Sequence, residues 1–220
     1  MATGLVLYGY WRSSAAYRVR IALNLKGLSY ESRAVHLVRD GGEQHAPKYR
    51  ALNPQETVPV LLDGDRVITQ SLAIMEYLEE MYQEPETALL PVDARGRAQV
   101  RTLAMAVACD IHPLGNLRVL QHLEAQFGAS EEQRAEWSRY WIAMGFKAIE
   151  EMLGDSAATG RYCHGETPGM ADACLIPQVY NAQRWKLPMD AYPTISRIYQ
   201  ACNELEAFRL AAPEAQPDAP

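Results

Sequence analysis

The fold is decided by the stretch Leu5-Val-Leu-Tyr-Gly-Tyr-Trp-Arg-Ser-Ser-Ala-Ala-Tyr-Arg-Val-Arg-Ile-Ala-Leu-Asn-Leu-Lys-Gly27. The apolar run at its start predicts a first strand, and the polar residues that follow predict a loop. From about Ala15 the apolar residues recur at helical spacing on two faces, so we expect a helix covered on two sides, by a sheet and by a second layer. Gly27 stands where a glycine commonly ends a helix.

Two serines, Ser13 and Ser14, stand where this helix is expected to begin. Serine is common at that position because its hydroxyl caps the first free backbone N–H groups. The same end of a helix also favours anions, including a thiolate. The stretch alone leaves a simple cap and a functional anion site both open.

Composition excludes several classes of protein. The chain has 220 residues, 48% hydrophobic and 22% charged, which is typical of a soluble globular protein with one or two domains. Its net charge of −6 argues against a nucleic-acid partner. It lacks an apolar run of about 18 residues, so we expect no membrane span. The N-terminal residues do not have the pattern of a signal peptide, so we expect a cytoplasmic protein.

The cysteines and histidines do not have the spacing of metal ligands. Cys109, Cys163, Cys174 and Cys202 form no CxxC pair, and the five histidines are scattered. We therefore expect reduced thiols, as in cytosolic proteins, and no metal.

The pattern of elements predicts two domains. Residues 1–84 have the order β-α-β-α-β-β-α, which fits a small mixed sheet with helices around it. A cis Val58–Pro59 bond suits the start of the third strand but does not follow from the sequence. Residues 83–87 have the composition of a linker, and the chain from Asp93 onward is expected to be helical. The proline-rich residues 212–220 are expected to form an extended tail.

Motifs along the whole chain carry a family resemblance. The main one is Ser13-Ser-Ala-Ala-Tyr-Arg-Val-Arg-Ile-Ala-Leu23. The others are Ala51-Leu-Asn-Pro54, Val58-Pro59, Gln70-Ser-Leu-Ala-Ile74, Ile111-His-Pro-Leu-Gly-Asn-Leu117, Ala171-Asp-Ala173, Pro177-Gln-Val179, Tyr192-Pro193 and Gln216-Pro-Asp218. In their order and spacing, over residues 4–218, these motifs resemble the zeta class of the glutathione transferase superfamily.

The resemblance implies a fold and an activity. The expected fold is an α/β thioredoxin-like domain, over residues 1–84, followed by an all-α domain, over residues 92–220, in a homodimer. The expected cofactor is glutathione. The expected activity is cis-trans isomerisation of maleylacetoacetate to fumarylacetoacetate, in tyrosine and phenylalanine breakdown, by reversible addition of the glutathione thiolate.

The resemblance also assigns glutathione contacts. The thiolate is expected beside the hydroxyl of Ser13, with Ser14 able to share the role, because a hydrogen bond to the charged form lowers the pKa of a thiol. The backbone of Val58 is expected to pair with glutathione like an added strand. The other positions that match glutathione contacts are Gln44, Gln70, Ser71, His112 and Asn116. Without the family context, a turn, cap or solvated polar residue would be the ordinary role of Gln44, Ser71 and Asn116.

The expected substrates carry a carboxylate at each end, and arginine holds carboxylates in bidentate fashion. Arg12, Arg118 and Arg184 match positions that isomerases of this group use for substrate carboxylates. Arg12 adjoins the serine pair and is expected to be catalytic together with Ser13 and Ser14. Arg18 and Arg20 are expected to be structural partners in ion pairs.

Ala15 departs from the family, which usually has cysteine there. A methyl group cannot donate a proton or act as a nucleophile, so the departure leaves other activities open. The alternatives are a maleylpyruvate isomerase, a zeta-class transferase or α-haloacid dehalogenase, and a non-catalytic glutathione-binding protein. A net loss of free glutathione would indicate transfer rather than isomerisation.

Overall fold

The computed structural model describes residues 4–220 and divides into two compact units. The first unit contains the chain up to Leu89 together with Glu204–Pro220, and the second is Leu90–Asn203. The helices are α1 (Ser14–Leu25), α2 (Pro47–Arg50), α3 (Ser71–Met81), α4 (Ala94–Met105), α5 (Leu117–Phe127), α6 (Glu131–Gly154), α7 (Met170–Arg184), α8 (Pro193–Asn203) and α9 (Glu206–Ala211). The units differ from the predicted domains in that Glu204–Pro220 groups with the N-terminal part of the chain.

The first unit is built on a mixed sheet. Its strands are β1 (Leu5–Gly9), β2 (Glu31–Ala34), β3 (Val60–Asp63) and β4 (Arg66–Thr69), in the order β2-β1-β3-β4. Strand β1 runs parallel to β2 and antiparallel to β3, which forms a hairpin with β4. The predicted element order and the cis Val58–Pro59 bond are both confirmed.

Helix α1 is largely buried within this unit. All its residues from Ala16 to Leu23 are buried, and it packs against α3 and α9. Leu28 N–H donates to Leu23 O at 2.9 Å and Gly27 N–H to Asn24 O at 3.1 Å, so the helix ends in a Schellman motif. Gly27 has φ +64°, a left-handed conformation that a residue without Cβ adopts at little cost.

The C-terminal segment is not the extended tail that its prolines predict. After α9 the chain forms a 3₁₀ turn at Pro213–Ala215. The Gln216 Nε2 group donates to the carbonyls of Leu210 and Ala212, each at 2.9 Å. These bonds satisfy backbone oxygens that the end of α9 would otherwise leave without partners, and they fold the segment back.

The second unit is helical, as predicted, but its first helix is interrupted. The apolar spacing predicts a helix over residues 95–112 that Pro113 kinks or interrupts, whereas the α-helix already ends at Met105 and continues as a π-helical segment, Ala106–Ile111. A 3₁₀ turn at His112–Gly115 follows and contains Pro113, which has no backbone N–H to continue the helix. Within residues 4–220, none of the helices combines the length and apolar character that spanning a bilayer requires.

A buried carboxylate organises the start of α7. Asp172 accepts the N–H of Gly169 and the N–H of Cys163, both at 2.9 Å. Burial raises the pKa of Asp172, and the backbone N–H groups that stabilise its ionised form oppose that rise. The carboxylate thus joins the preceding loop to the first turn of the helix.

We expect Gly145→Ala to destabilise the second unit by about 1–3 kcal/mol, although alanine ordinarily favours a helix. A Cβ atom at position 145 would overlap the side chain of Ile111. Ile111 is only 2% exposed and has little room to move. Chemical denaturation measures the effect, and Gly154→Ala in the same helix is the control because its Cβ would meet nothing within 4 Å. Equal stability of the two variants would contradict this prediction.

Candidate functional site

The N-terminus of α1 presents the predicted serine pair. Ser13 is the N-cap residue, and its Oγ accepts the N–H of Ala16 at 3.2 Å. The cap interpretation is therefore confirmed. A hydroxyl that accepts one hydrogen bond still has its own proton to donate, so the cap leaves room for an anion at Ser13. Ser14 is the first residue of the helix, and both serines are half-buried.

Arg12 lies next to this cap and is exposed. Its guanidinium carbon is 5.4 Å from the centre of the Trp11 ring, within the range of a cation–π contact. The ring restricts the side chain while leaving the guanidinium in contact with solvent. Arg12 is thus available to a carboxylate ligand.

Arg20 donates hydrogen bonds to the loop that precedes Ser13. Its Nε donates to Ala211 O at 2.9 Å, Nη1 to Tyr10 O at 3.4 Å and Nη2 to Trp11 O at 3.0 Å. Burial lowers the pKa of Arg20 to about 10. The sequence predicts an ion-pair partner here, but these bonds go to main-chain carbonyls, because the buried guanidinium meets the end of a turn and the end of α9.

A second helix start lies close to α1. Ser71 is the first residue of α3 and is buried, and Arg18 Nη1 donates to its Oγ at 3.2 Å. Gln70, immediately before it, has φ +68° and ψ 118°, a conformation that non-glycine residues rarely adopt. Such strain persists only where its surroundings impose it, often at ligand sites. A cation and a helix N-terminus therefore meet at Ser71, an arrangement that favours a carboxylate.

Val58 lies beyond the paired part of the sheet. The pairing of β3 begins at Val60, opposite Tyr8 and Thr69. Thr57 O accepts Tyr49 Oη and Asn53 Nδ2, both at 2.7 Å, which fixes the orientation of the peptide before Val58. In a trans peptide the N–H points opposite to the carbonyl, so the Val58 N–H points away from these two donors.

Gln44 is buried, whereas a solvated side chain would be its ordinary role. Its Nε2 lies 3.0 Å from His45 Nε2 and 3.4 Å from Leu37 O. Its Oε1 is buried and has no hydrogen-bond partner within residues 4–220. A buried acceptor without a partner is costly, so this oxygen suits a donor from a ligand.

The remaining predicted residues lie in the second unit. His112 is in the 3₁₀ turn, and Asn116 caps α5 by accepting the N–H of Arg118 at 3.2 Å. Arg118 is exposed on the first turn of α5. Arg184 is exposed in the last turn of α7, 4.4 Å from the centre of the Trp185 ring.

Helix α6 contacts the turn before α5 and the C-terminal end of α7. Trp137 Nε1 donates to Leu114 O at 2.7 Å, and Arg139 Nη1 donates to Trp185 O at 3.4 Å. Two residues in the first half of α6 therefore contact the turn before Arg118 and the residue after Arg184.

In the second unit the predicted residues lie in the turn before α5, at the start of α5 and in the last turn of α7. In the first unit they lie at the starts of α1 and α3, at the residue before the cis proline and at the buried Gln44. Asp218, which no motif reading assigned to the site, also contacts this region, since its Oδ2 accepts the N–H of Trp11 at 2.9 Å. Its signal was the Gln216-Pro-Asp218 motif, which the sequence alone could not connect to a contact.

Comparisons with known proteins identify the family of the chain. Residues 7–86 match the family model of the glutathione S-transferase N-terminal domain. A probable maleylacetoacetate isomerase of Vibrio cholerae is 54% identical over 98% of both chains. A maleylpyruvate isomerase of a Ralstonia species is 51% identical over 96% of this chain and 98% of its own.

Solved structures that resemble this chain belong to the same family. The holo structure of a maleylpyruvate isomerase, a bacterial zeta-class glutathione S-transferase, has a TM-score of 0.94 at 49% identity over 98% of this chain and 100% of its own. The maleylacetoacetate isomerase of Methylobacterium extorquens, with bound malonate and glutathione, has a TM-score of 0.93 at 45% identity over 98% of this chain and 99% of its own. The chain therefore belongs to the glutathione transferase superfamily, within its zeta class.

Proposed function

We propose that this protein is a glutathione-dependent cis-trans isomerase that converts maleylacetoacetate to fumarylacetoacetate. The observation that carries the proposal is Ser13, whose hydroxyl caps α1 while its proton stays available to a thiolate. The proposal is supported by full-length relatives named maleylacetoacetate isomerase, among them one from Pseudomonas aeruginosa at 48% identity.

The residues of the first unit fit glutathione. The tripeptide carries a γ-glutamyl carboxylate, amide groups and a thiol. Ser71 with Arg18 suits the carboxylate, and the buried Gln44 Oε1 suits an N–H donor. The N–H of Val58, which points away from the donors that hold Thr57 O, suits pairing with an extended peptide. When bound, glutathione supplies the sulfur nucleophile, which Ala15 cannot provide.

Ser13 stabilises the ionised sulfur. Its O–H donates to the thiolate, and the N-terminus of α1 adds a partial positive charge. Both effects favour the charged form and lower the pKa of the thiol. Ser14, on the first residue of the same helix, can share this hydrogen bond.

The arginines hold the two carboxylates of the substrate and stabilise charge that develops beside them. Arg12, Arg118 and Arg184 are all exposed, so each guanidinium can meet a carboxylate from solvent. Arg12 and Arg184 are each restrained by a neighbouring tryptophan ring, which lowers the entropy lost on binding. The bidentate geometry of guanidinium suits a doubly acidic substrate.

Two alternatives have specific support. The Ralstonia relative and the zeta-class structure with a TM-score of 0.94 favour maleylpyruvate, a shorter substrate for the same chemistry. A maleylacetoacetate isomerase of Anaeromyxobacter dehalogenans holds dicarboxyethyl glutathione, which favours an additional conjugating activity.

The test is to incubate maleylacetone and maleylpyruvate with the protein, with and without glutathione, and to follow the enol absorbance and free thiol. We expect isomerisation that requires glutathione and leaves its concentration unchanged. A steady loss of free thiol would support conjugation. Turnover without any thiol, or no turnover of either compound, would refute the proposed function.

We expect Arg118→Ala to raise KM for the substrate by about 10- to 100-fold, because a hydrogen bond to a charged group contributes about 1.5–3 kcal/mol. KM for glutathione should change little. Lys147→Ala is the control, since it removes an exposed cation from α6 in the same unit. Steady-state kinetics with each substrate varied in turn measure both values. An equal rise in KM for both variants would contradict a specific role of Arg118, because the loss of any positive charge would then explain the effect.

We propose further that the protein is a cytoplasmic homodimer acting in tyrosine and phenylalanine breakdown. None of its four cysteines forms a disulfide and three are buried, which suits a reducing compartment. Val67 and Met81 are about half exposed on the first unit and could be covered in a dimer. Light scattering should give twice the chain mass of 24.6 kDa.

A further inference from the structure

The segment after α9 reaches back to the loop that carries Arg12 and Ser13. Asp218 Oδ2 accepts the main-chain N–H of Trp11 at 2.9 Å, although the two residues are 207 positions apart. Trp11 immediately precedes Arg12. The carboxylate therefore fixes one end of the peptide that leads into the proposed site.

A second bond network holds the other side of the same peptide. Arg20 donates to the carbonyls of Tyr10 and Trp11, and also to Ala211 O at the end of α9. Trp11 is thus held through both its N–H and its C=O by residues outside its own loop. Ser13 N–H donates to Tyr10 O at 2.9 Å, so the held residues and the serine belong to one tight turn.

The C-terminal segment is itself fixed in place. Gln216 is 9% exposed and donates to the carbonyls of Leu210 and Ala212. Ala219 N–H donates to Gln216 O at 3.0 Å, which closes a turn around Asp218. The carboxylate is therefore presented by a folded segment rather than by a free chain end.

A cation offsets part of the charge of this carboxylate. Asp218 interacts electrostatically with the buried guanidinium of Arg20. This matters because an isolated carboxylate near Ser13 would oppose a bound thiolate. A carboxylate that interacts with a cation can hold the main chain with less effect on the anion preference of the helix end.

We propose, on the basis of the proposed function, that Asp218 is a positioning residue for the isomerase. It holds the main chain at Trp11 so that the Ser13 hydroxyl and the Arg12 guanidinium keep a reactive geometry. Displacements of about 1 Å at a reacting group can lower a rate about a hundredfold. The loss of Asp218 should consequently lower kcat more than it raises KM for the substrate.

The first test needs no activity. In the free protein, hydrogen exchange at the Trp11 amide, followed by NMR, should be slow in the wild type and faster by about tenfold or more in Asp218→Ala. Asp218→Asn keeps an oxygen acceptor of the same size, so it should retain most of the protection. Unchanged protection of Trp11 in Asp218→Ala would overturn the proposal, because the bond would then not hold the loop.

The second test measures function. We expect Asp218→Ala to lower kcat by about 10- to 100-fold and to reduce the ultraviolet thiolate absorbance of bound glutathione at a fixed pH, with Asp218→Asn recovering most of both. Glu214→Gln removes an exposed charge from the same segment and is the control. Circular dichroism establishes that each variant is folded, and if Asp218→Ala is not, Asp218→Ser replaces it.

The outcomes separate the two proposals. A wild type without glutathione-dependent isomerisation would refute the proposed function, whatever the variants do. An active wild type with an equally active Asp218→Ala would refute the positioning role alone. A loss in Asp218→Ala that Glu214→Gln reproduces would also refute it, since the cause would then be charge in general.

Discussion

Ser13→Ala is expected to lower kcat for glutathione-dependent isomerisation by about a hundredfold or more, the loss typical of removing one preorganised hydrogen-bond donor. The hydroxyl is half-buried at the start of α1, and its oxygen is already engaged by the Ala16 N–H, so its proton can point only toward other acceptors. Without that proton the thiol should ionise less readily. Stopped-flow kinetics and the thiolate absorbance of bound glutathione measure the two effects.

The variant also removes a helix cap, which costs about 1 kcal/mol of stability. Two controls separate the cap from the donor. Ser13→Thr keeps both groups and should keep most of the activity. Ser13→Gly preserves most of the capping preference without a donor, so it should be nearly as stable as the wild type and as inactive as Ser13→Ala. Full activity of Ser13→Ala would remove the role assigned to this hydroxyl.

The largest effect on stability is expected from Asp172→Ala, about 3 kcal/mol or more. The substitution leaves the N–H groups of Cys163 and Gly169 without their acceptor, and each buried unpaired group costs about 1–3 kcal/mol. Chemical denaturation followed by circular dichroism measures the loss. Asp190→Ala, at an exposed position of the same unit, is the control and should change stability by less than about 0.5 kcal/mol.

The pH dependence of that loss has a definite sign. Because burial raises the pKa of Asp172, the folded protein binds this proton more tightly than the unfolded chain does. The contribution of the residue is therefore fully present below the ordinary carboxyl pKa and declines as pH rises through the raised value. The difference in unfolding free energy between wild type and Asp172→Ala should accordingly shrink over that interval. A difference that grows with pH there would contradict the prediction.

The parts of the fold that depend on local sequence were predictable. The start of α1 at Ser13, its end at Gly27 and the hairpin of β3 and β4 each follow from residues within a few positions. Capping and turn preferences act over that range. The π-helical segment of the second unit was not predicted, because its buried residues, Val107 and Ile111, are four positions apart, a spacing that also fits an α-helix.

For the candidate site, the sequence proposed residues but not the contacts that they make. Ser13 is the cap of α1, and because its hydroxyl can still donate to a ligand, the anion site stays a prediction beside the confirmed cap. Arg20 was expected to form an ion pair, but its hydrogen bonds go to three main-chain carbonyls. Contacts such as Trp11 with Asp218 join distant parts of the chain, and no local rule gives their pairing.

The roles of several residues stay predictions. Six residues match glutathione contacts of the family: Gln44, Val58, Gln70, Ser71, His112 and Asn116. A structure with bound glutathione would show which of them contact it. Asn116 is already engaged as the cap of α5 through its Oδ1, which leaves its amide N–H groups for other partners.

The first unit is assembled from two separate parts of the chain, with α9 and the following turn completing a core begun by β1 and α1. During synthesis, those last residues leave the ribosome after all of Leu90–Asn203. The helical unit is continuous in sequence and can close its own core first, as units of larger chains do. Until then the Trp11 N–H lacks its acceptor, Asp218, and Arg20 Nε lacks the Ala211 carbonyl, so we expect the N-terminal unit to complete its structure after the helical one.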